Sequence, residues 1–347
     1  MADTPGRGKM AFAVAGIIGV SSAHYRIIQC RALTGPDALA VAHEPARRPG
    51  PGEVRVAVRA AGVNYPDLLM TRGAYQLRLE PPFTPGMEVA GEVLDTGAGV
   101  TQVHPGERVI ALMRHGGYAE EVVVPEAAVV RLPETFNYEH GAAFHVATRT
   151  AWHALVDRAG LARGETLLVL GATGGVGLAA VELASLLGAR VIAVGSSDDK
   201  LAAARERGAE AVVNYRTQDL QQAVAACGSG VVDVVYDPVG GDLSRASTGL
   251  LAPGGRMLII GFASGDIPAF PADHARQHGY TLLGVRAGEA GRRDPARARE
   301  GLQALLAFAG QGHLKPRIHA RYPLVRAAEA LHALEQRSVV GRIVLIP

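Results

Sequence analysis

Leu167-Leu-Val-Leu-Gly171-Ala-Thr-Gly174-Gly-Val-Gly177 decides the fold, because an apolar run breaks there into closely spaced glycines. Residues Thr166–Leu170 have the continuous hydrophobicity of a strand buried on both faces. An amphipathic pattern follows to about Leu187 and predicts a helix. A glycine turn between strand and helix is the fingerprint of a dinucleotide site. Gly174 lets the backbone approach a pyrophosphate, and Gly177 lets the helix lie close on the sheet. The helix start offers the anion free N–H groups and the positive end of its dipole. Ala172 stands where the first fingerprint glycine usually is, so the string is the variant A-x-G-x-x-G. On this basis Ala172, Gly174, Gly175, Val176 and Gly177 are expected to bind the cofactor.

Downstream, Val191–Val194 predicts the next strand, which ends in Gly195-Ser196-Ser197. Sites that select NAD place Asp or Glu about 20 residues past the turn, on the ribose hydroxyls. No acid stands there. Lys200 follows instead, and Tyr215-Arg216 closes the strand after that. Hydroxyls and cations at this edge suit a 2′-phosphate, so the expected cofactor is NADPH, with Ser196, Ser197, Lys200, Tyr215 and Arg216 as ligands. A second role remains open for Ser197, as the cap of a helix whose first turn holds Asp198 and Asp199. Further strands are expected at Ala211–Val213, Val232–Tyr236, Met257–Ile260 and Thr281–Val285. Their alternation with helices predicts a parallel sheet with right-handed crossovers.

Upstream, Ile27 to about Val124 reads as short strands punctuated by Gly and Pro, with period-two alternation in Glu53–Val58. This predicts a partly open β-barrel. A helix is expected around Ala142–Val156, a long one from Arg297, and a returning strand at Gly341–Ile346. The fold class is therefore α/β: a partly open barrel, residues 26–148 and 286–347, around an inserted Rossmann-type domain, residues 149–285. Residues 1–25 form an extension. Within it, Arg7 and Lys9 precede an apolar run from Met10 to Val20 and then Ser21-Ser22-Ala23, which suits a secretory signal, a misplaced start or a loose extension.

The chain has 347 residues, more than one core usually serves, which agrees with two domains. Net charge is only +2, which argues against nucleic acid or an anionic membrane as partner. The basic run Arg292, Arg293, Arg297 and Arg299 is interleaved with acids and reads as a solvated helix start. Two cysteines, Cys30 and Cys227, exclude a disulfide framework and suit a reducing, cytoplasmic compartment.

Ala60-Ala-Gly-Val-Asn64-Tyr-Pro-Asp67, Arg72-Gly-Ala-Tyr75, Pro85-Gly-Met-Glu88-Val-Ala-Gly91, Gly116-Gly-Tyr-Ala-Glu120, Thr150-Ala151, the glycine turn, Asn214-Tyr215 and Asp237-Pro-Val-Gly-Gly241 occur in that order. With them, nearly the whole chain from Ile27 resembles the medium-chain dehydrogenase/reductase superfamily, and within it the zinc-free NADPH:quinone reductase family. Its barrel is of the GroES-like type. Glu182 stands where the family usually has Gln, and Thr173 where Ala or Ser is common. Zinc-dependent relatives carry Cys at the position of Asn64 and His at that of Met87. Only Glu88 of that ligand set is present, so no metal is expected. His274 and His278, beside Asp273, read as surface or packing residues.

The resemblance implies hydride transfer to a small conjugated acceptor, a quinone first, and an enone or enoyl thioester as the alternative. A non-catalytic NADPH-binding sensor or structural protein is the alternative of another class. Tyr75 is implied as donor to the developing oxyanion, and Asn64 and Thr150 as the pair that orients nicotinamide and ribose. Tyr65 and Asp67 shape the pocket, and the Gly261-Phe262-Ala263 loop reaches the nicotinamide. Homodimers joined through the sheet edge are common in the family. Competing structural roles are cleft lining for Tyr75, a loop tie for Asn64, a helix cap for Asp67 and a buried ion pair for Glu88. His115 and His145 read as loop or core residues.

Overall fold

The computed structural model describes residues 24–228 and 230–347. The signal-like run at 10–23 lies outside them. His24 and Tyr25, assigned above to the extension, instead begin the first strand.

The fold is α/β, with two large sheets. Strands β1 (His24–Cys30) and β2 (Leu39–Pro45) form a hairpin beside the first of these. That sheet is built from β3 (Glu53–Val63), β4 (Glu88–Thr96), β5 (Arg108–Leu112), β6 (Glu121–Pro125) and β7 (Val129–Arg131). The second contains β8 (Thr166–Val169), β9 (Arg190–Gly195), β10 (Ala211–Asn214), β11 (Val232–Asp237), β12 (Leu251–Ile259) and β13 (Thr281–Gly284). The chain then returns to the first sheet with β14 (Ile318–Pro323) and β15 (Arg342–Ile346).

The first sheet runs in the order β14-β15-β3-β4-β5-β7, with β6 also on β3. Register shifts at Arg55/Val56 and Val58/Ala60 bend β3 against β4, as a barrel wall requires. The second sheet is parallel, in the order β10-β9-β8-β11-β12-β13. This is the doubly wound order, with its switch point between β8 and β11, where ligands bind beyond the strand ends. Leu167, Leu168 and Val169 are fully buried, as their uninterrupted apolar run foretold.

Four helices matter for the site. Helix α1 (Tyr65–Thr71) leaves β3. The short α2 (Tyr138–Ala142) precedes α3 (His145–Trp152), which is the helix expected around Ala142–Val156 and continues into a π-helical turn at His153–Arg158. Helix α4 (Gly175–Leu186) follows the glycine turn. One apolar core passes from Ala60 and Ala90 of the barrel through Phe144 and Ala147 to Leu178 and Leu167 of the parallel sheet, so both sheets share an interior.

Candidate active site

The glycine turn is fixed by sterics. Gly171 has φ of 57°, and a Cβ there would lie 2.8 Å from a methyl of Val239. At Gly177 a Cβ would run into the Gly171 carbonyl oxygen, so helix and strand come as close as the fingerprint requires. The Ala172 methyl is fully buried, which explains why alanine serves at that position. Gly174 caps α4 without a side chain, and a Cβ on it would meet only the Gly171 oxygen at 3.5 Å. The space above the turn is open, a cradle suited to a pyrophosphate.

At the far end of β9, the Tyr215 N–H donates to the Gly195 carbonyl at 3.1 Å, which sets Tyr215-Arg216 beside Ser196-Ser197. Asn214 ties the same corner by donating to Asp198 at 3.2 Å. Ser197 is the N-cap of the helix Asp198–Glu206, but its hydroxyl makes no capping bond. The Lys200 ammonium donates to the carbonyl of Arg337 at 2.7 Å. Arg337, with φ of 52°, is the one non-glycine residue of positive φ among the described residues. Its guanidinium donates to the carbonyls of Ala263 at 3.1 Å and Ser264 at 3.3 Å. It is exposed between Lys200 and the 261–264 loop, and sequence reasoning missed it.

That loop is zipped to its neighbour across the switch region. Ala263 N–H donates to Pro238 at 3.1 Å and Ser264 N–H to Val239 at 2.8 Å. Gly261, Phe262 and Ala263 therefore sit at the carboxyl ends of β11 and β12, close to the glycine turn through Gly171 and Val239.

Asn64 follows β3 as the N-cap residue of α1 and is buried. Its backbone N–H donates to Asp67 at 2.8 Å, and its side-chain amide donates to Glu88 at 3.1 Å. Glu88, also fully buried, accepts from the Val146 N–H at 2.9 Å and forms an ion pair with Arg342. Burial pushes the Glu88 carboxyl up, against the lowering by Arg342 and its hydrogen bonds. Arg342 lies on the glycine turn: a Cβ on Gly175 would be 2.7 Å from its Cδ. The neighbouring Gly341 N–H donates to Thr173 at 2.9 Å. One chain of contacts thus runs from Asn64 through Glu88 and Arg342 to Gly174-Gly175. Sequence reasoning gave Arg342 no role, although a lone cation in the apolar strand Arg342–Ile346 was a visible signal. Thr150 is on α3, and its hydroxyl donates to Val146 at 2.7 Å, next to the Glu88 contact.

Tyr75 is half-buried against Cys30, Met70, Phe83 and Met87. Burial raises the affinity of its phenol for the proton and Asp67 adds to this, while Arg292, Arg286 and Arg114 oppose it. No hydrogen bond joins Tyr75 to Asn64 or Thr150 among the described residues. Asp67 takes the helix-cap role, which competed with shaping the pocket. It is fully buried, accepts from the N–H groups of Asn64 and Gly86 and from the Tyr118 hydroxyl, and so caps α1. Burial pushes its carboxyl up to about 7. His145 is a core residue, held neutral by burial with a pKa lowered to about 3. His274 stacks on His278 at 4.2 Å and meets the Tyr280 hydroxyl at 3.1 Å, a packing role. A catalytic metal does not fit at Asn64, Met87 and Glu88, because the single carboxylate is committed to Arg342. Among the described residues no group of three His, Cys, Asp or Glu could hold a metal ion.

Residues 50–134 match the family described as alcohol dehydrogenase GroES-like domain, and residues 175–306 match the one described as zinc-binding dehydrogenase. Quinone oxidoreductase-like protein 2 of Bos taurus is 36% identical over 324 residues, covering 93% of this chain and 92% of that protein. The synaptic vesicle membrane protein VAT-1 homolog of Homo sapiens is 33% identical over 347 residues, covering 92% and 87%. Among solved structures, the quinone oxidoreductase of Thermus thermophilus, also determined as its complex with NADPH, superposes with a TM-score of 0.82 at 36% identity, covering 93% of this chain and 100% of that one.

Proposed function

This chain belongs to the medium-chain dehydrogenase/reductase superfamily and, within it, to the NADPH:quinone oxidoreductase family, and from that membership we propose that it is an NADPH-dependent reductase of a conjugated acceptor, a quinone first, working without zinc. The observation that carries this reading is the contact chain Asn64–Glu88–Arg342, in which the one carboxylate left from a zinc ligand set is neutralised by a guanidinium. The match described as zinc-binding spans 175–306 and does not include Asn64, Met87 or Glu88.

NADPH supplies the hydride when bound. Gly174–Gly177 and the start of α4 hold its pyrophosphate, with the methyl of Ala172 anchoring the turn. Ser196, Ser197, Lys200, Tyr215 and Arg216, joined by Arg337, take the 2′-phosphate. Asn64 and Thr150 orient the nicotinamide and ribose, and Gly261, Phe262 and Ala263 bound that end of the cleft. The acceptor gains two electrons with the hydride, and its oxygen gains a proton from water or the Tyr75 phenol. Tyr75 stabilises the oxygen by a hydrogen bond as charge arrives there. A delocalised quinone or enolate anion needs no Lewis acid beyond this. The same reading puts the enzyme in the cytoplasm, where the NADPH pool is. It pairs two copies through β13, the exposed edge of the parallel sheet, and divides the chain near residues 148 and 285. Among the described residues no helix is long and apolar enough to cross a membrane.

The test follows NADPH absorbance with benzoquinone, a simple enone and crotonyl-CoA, with and without a chelator, for the wild type and Tyr75→Phe. The expected result is chelator-insensitive oxidation that the variant slows roughly 10- to 100-fold in kcat. Unchanged rates in the variant remove Tyr75 from the chemistry. NADPH binding without oxidation by any acceptor would favour a non-catalytic role instead.

A further inference from the structure

We infer that the acceptor of this site carries an anionic group, a carboxylate or a phosphate, held by a rim formed by Arg114, Arg286 and Arg292. The inference rests on the reductase reading for its reacting centre, and on separate residues for the charge.

The arginines come from two parts of the chain, Arg114 from the loop after β5 and Arg286 and Arg292 from the cap and body of one helix, Ala287–Arg293. Arg114 follows Met113, whose N–H donates to the Met87 carbonyl at 3.0 Å, and the loop returns through Gly116 N–H to Thr84 at 2.7 Å. It therefore hangs over residues 84–87, and Met87 packs with Tyr75 in one apolar cluster. Arg286 leaves the carboxyl end of β13, where Val285 N–H donates to Ile259 at 2.9 Å, directly beside the start of the 261–263 loop. Arg292 belongs to the helix Ala287–Arg293, which lies on α3: a Cβ on Gly291 would strike the guanidinium of Arg149, the residue before Thr150. The electrostatic environment of the Tyr75 phenol agrees, since all three cations oppose its burial.

The acids nearby offset the rim only at Arg292, which pairs with Glu289. Glu289 is shared between Arg292 and Arg293. Asp67 is buried and holds the end of α1. Arg114 and Arg286 are exposed and form no ion pair among the described residues. In a chain of net charge only +2, these cations thus stand on the loop over residues 84–87 and on the helix beside α3. A neutral quinone makes no use of that, whereas an anionic tail on a conjugated head gains both steering and retention.

The test reads binding first, so that it stands apart from turnover. Calorimetry on NADP⁺-loaded protein compares butyryl-CoA with neutral S-butyryl-pantetheine, and steady-state kinetics compare monomethyl fumarate with dimethyl fumarate, at low and high salt. The first pair reports phosphate and the second carboxylate. The expected result is a preference of about tenfold for the charged member of at least one pair, falling with salt. It should be lost in the Arg114→Ala/Arg286→Ala double variant and kept in Arg299→Ala, with NADP⁺ affinity unchanged in both. Equal behaviour of charged and neutral members in both pairs, failure of either thioester to bind together with equal kinetics for the fumarates, or a preference that survives the double variant overturns the inference. Charge-selective binding without NADPH oxidation by any acceptor would sink the reductase reading and leave the anionic site standing. Oxidation that ignores charge would do the reverse.

Discussion

Glu88 and Arg342 face each other with almost no solvent, at 0% and 6% side-chain exposure. Removing one partner of such a pair leaves an uncompensated buried charge, which costs about 3–5 kcal/mol. Glu88→Gln is therefore expected to lower unfolding free energy by that amount in denaturant titrations. Glu88→Gln with Arg342→Met should recover much of the loss. A single variant as stable as the wild type would show that water reaches the guanidinium. At this scale, what the sequence made legible were the residues whose constraint is local. Gly171 and Gly177 act through contacts inside one turn, so their spacing alone announced them. The partner of Glu88 stands 254 residues away and no local pattern names it. Asn64 was assigned to the cofactor without its bond to Glu88 for the same reason.

The helix Ala327–Glu335 is moored by one histidine. His332 meets Asp37 at 2.8 Å through Nε2 and Glu335 at 3.0 Å through Nδ1, and Glu335 also pairs with Arg72 just past α1. The hydrogen bond to Asp37, then that to Glu335, raises the imidazole pKa above the ordinary 6.5, against burial. A folded-state pKa above the unfolded one means the mooring is complete below about 6.5 and is lost as pH rises through the folded value. Exposure holds the gain to about 1 kcal/mol or less. Hydrogen exchange across 327–335 should accelerate between pH 6 and 9 beyond the intrinsic rate (roughly the titration range of a histidine), and His332→Gln should flatten that dependence. An identical profile in the variant would remove the histidine from the account. Elements were legible where a period repeats: β8 and α4 lie where the apolar pattern put them. The helical stretch expected around 142–156 is helical from His145 to Arg158, but its π-helical turn was not legible, because such a turn changes the hydrogen-bond partner without changing the hydrophobic period.

Across the whole molecule, Lys200 touches both the cofactor half and the returning segment, through its bond to the Arg337 carbonyl. If its charge faces a 2′-phosphate, Lys200→Ala should reduce the preference for NADPH over NADH by about tenfold, in titrations of cofactor fluorescence, with NADH affinity unchanged. An equal loss of both affinities would make Lys200 a strut between the halves. That the second sheet is parallel was legible from alternating strands and helices, though its strand order was not read. The seam was not legible, since Gly341 on Thr173 and Arg337 on Ala263 pair segments that no composition or spacing links.

That seam has a consequence for how the chain is made. Strand β3 is complete only when Ile343 lies against Val63, whereas the sheet from β8 to β13 needs nothing beyond Gly284. During synthesis the nucleotide-binding half can therefore condense while the barrel still waits with an open flank. Sequence separation of this kind slows closure and exposes an unpaired strand. A nascent protein of this design has most need of a chaperone in the interval between translating the thirteenth strand and the fifteenth.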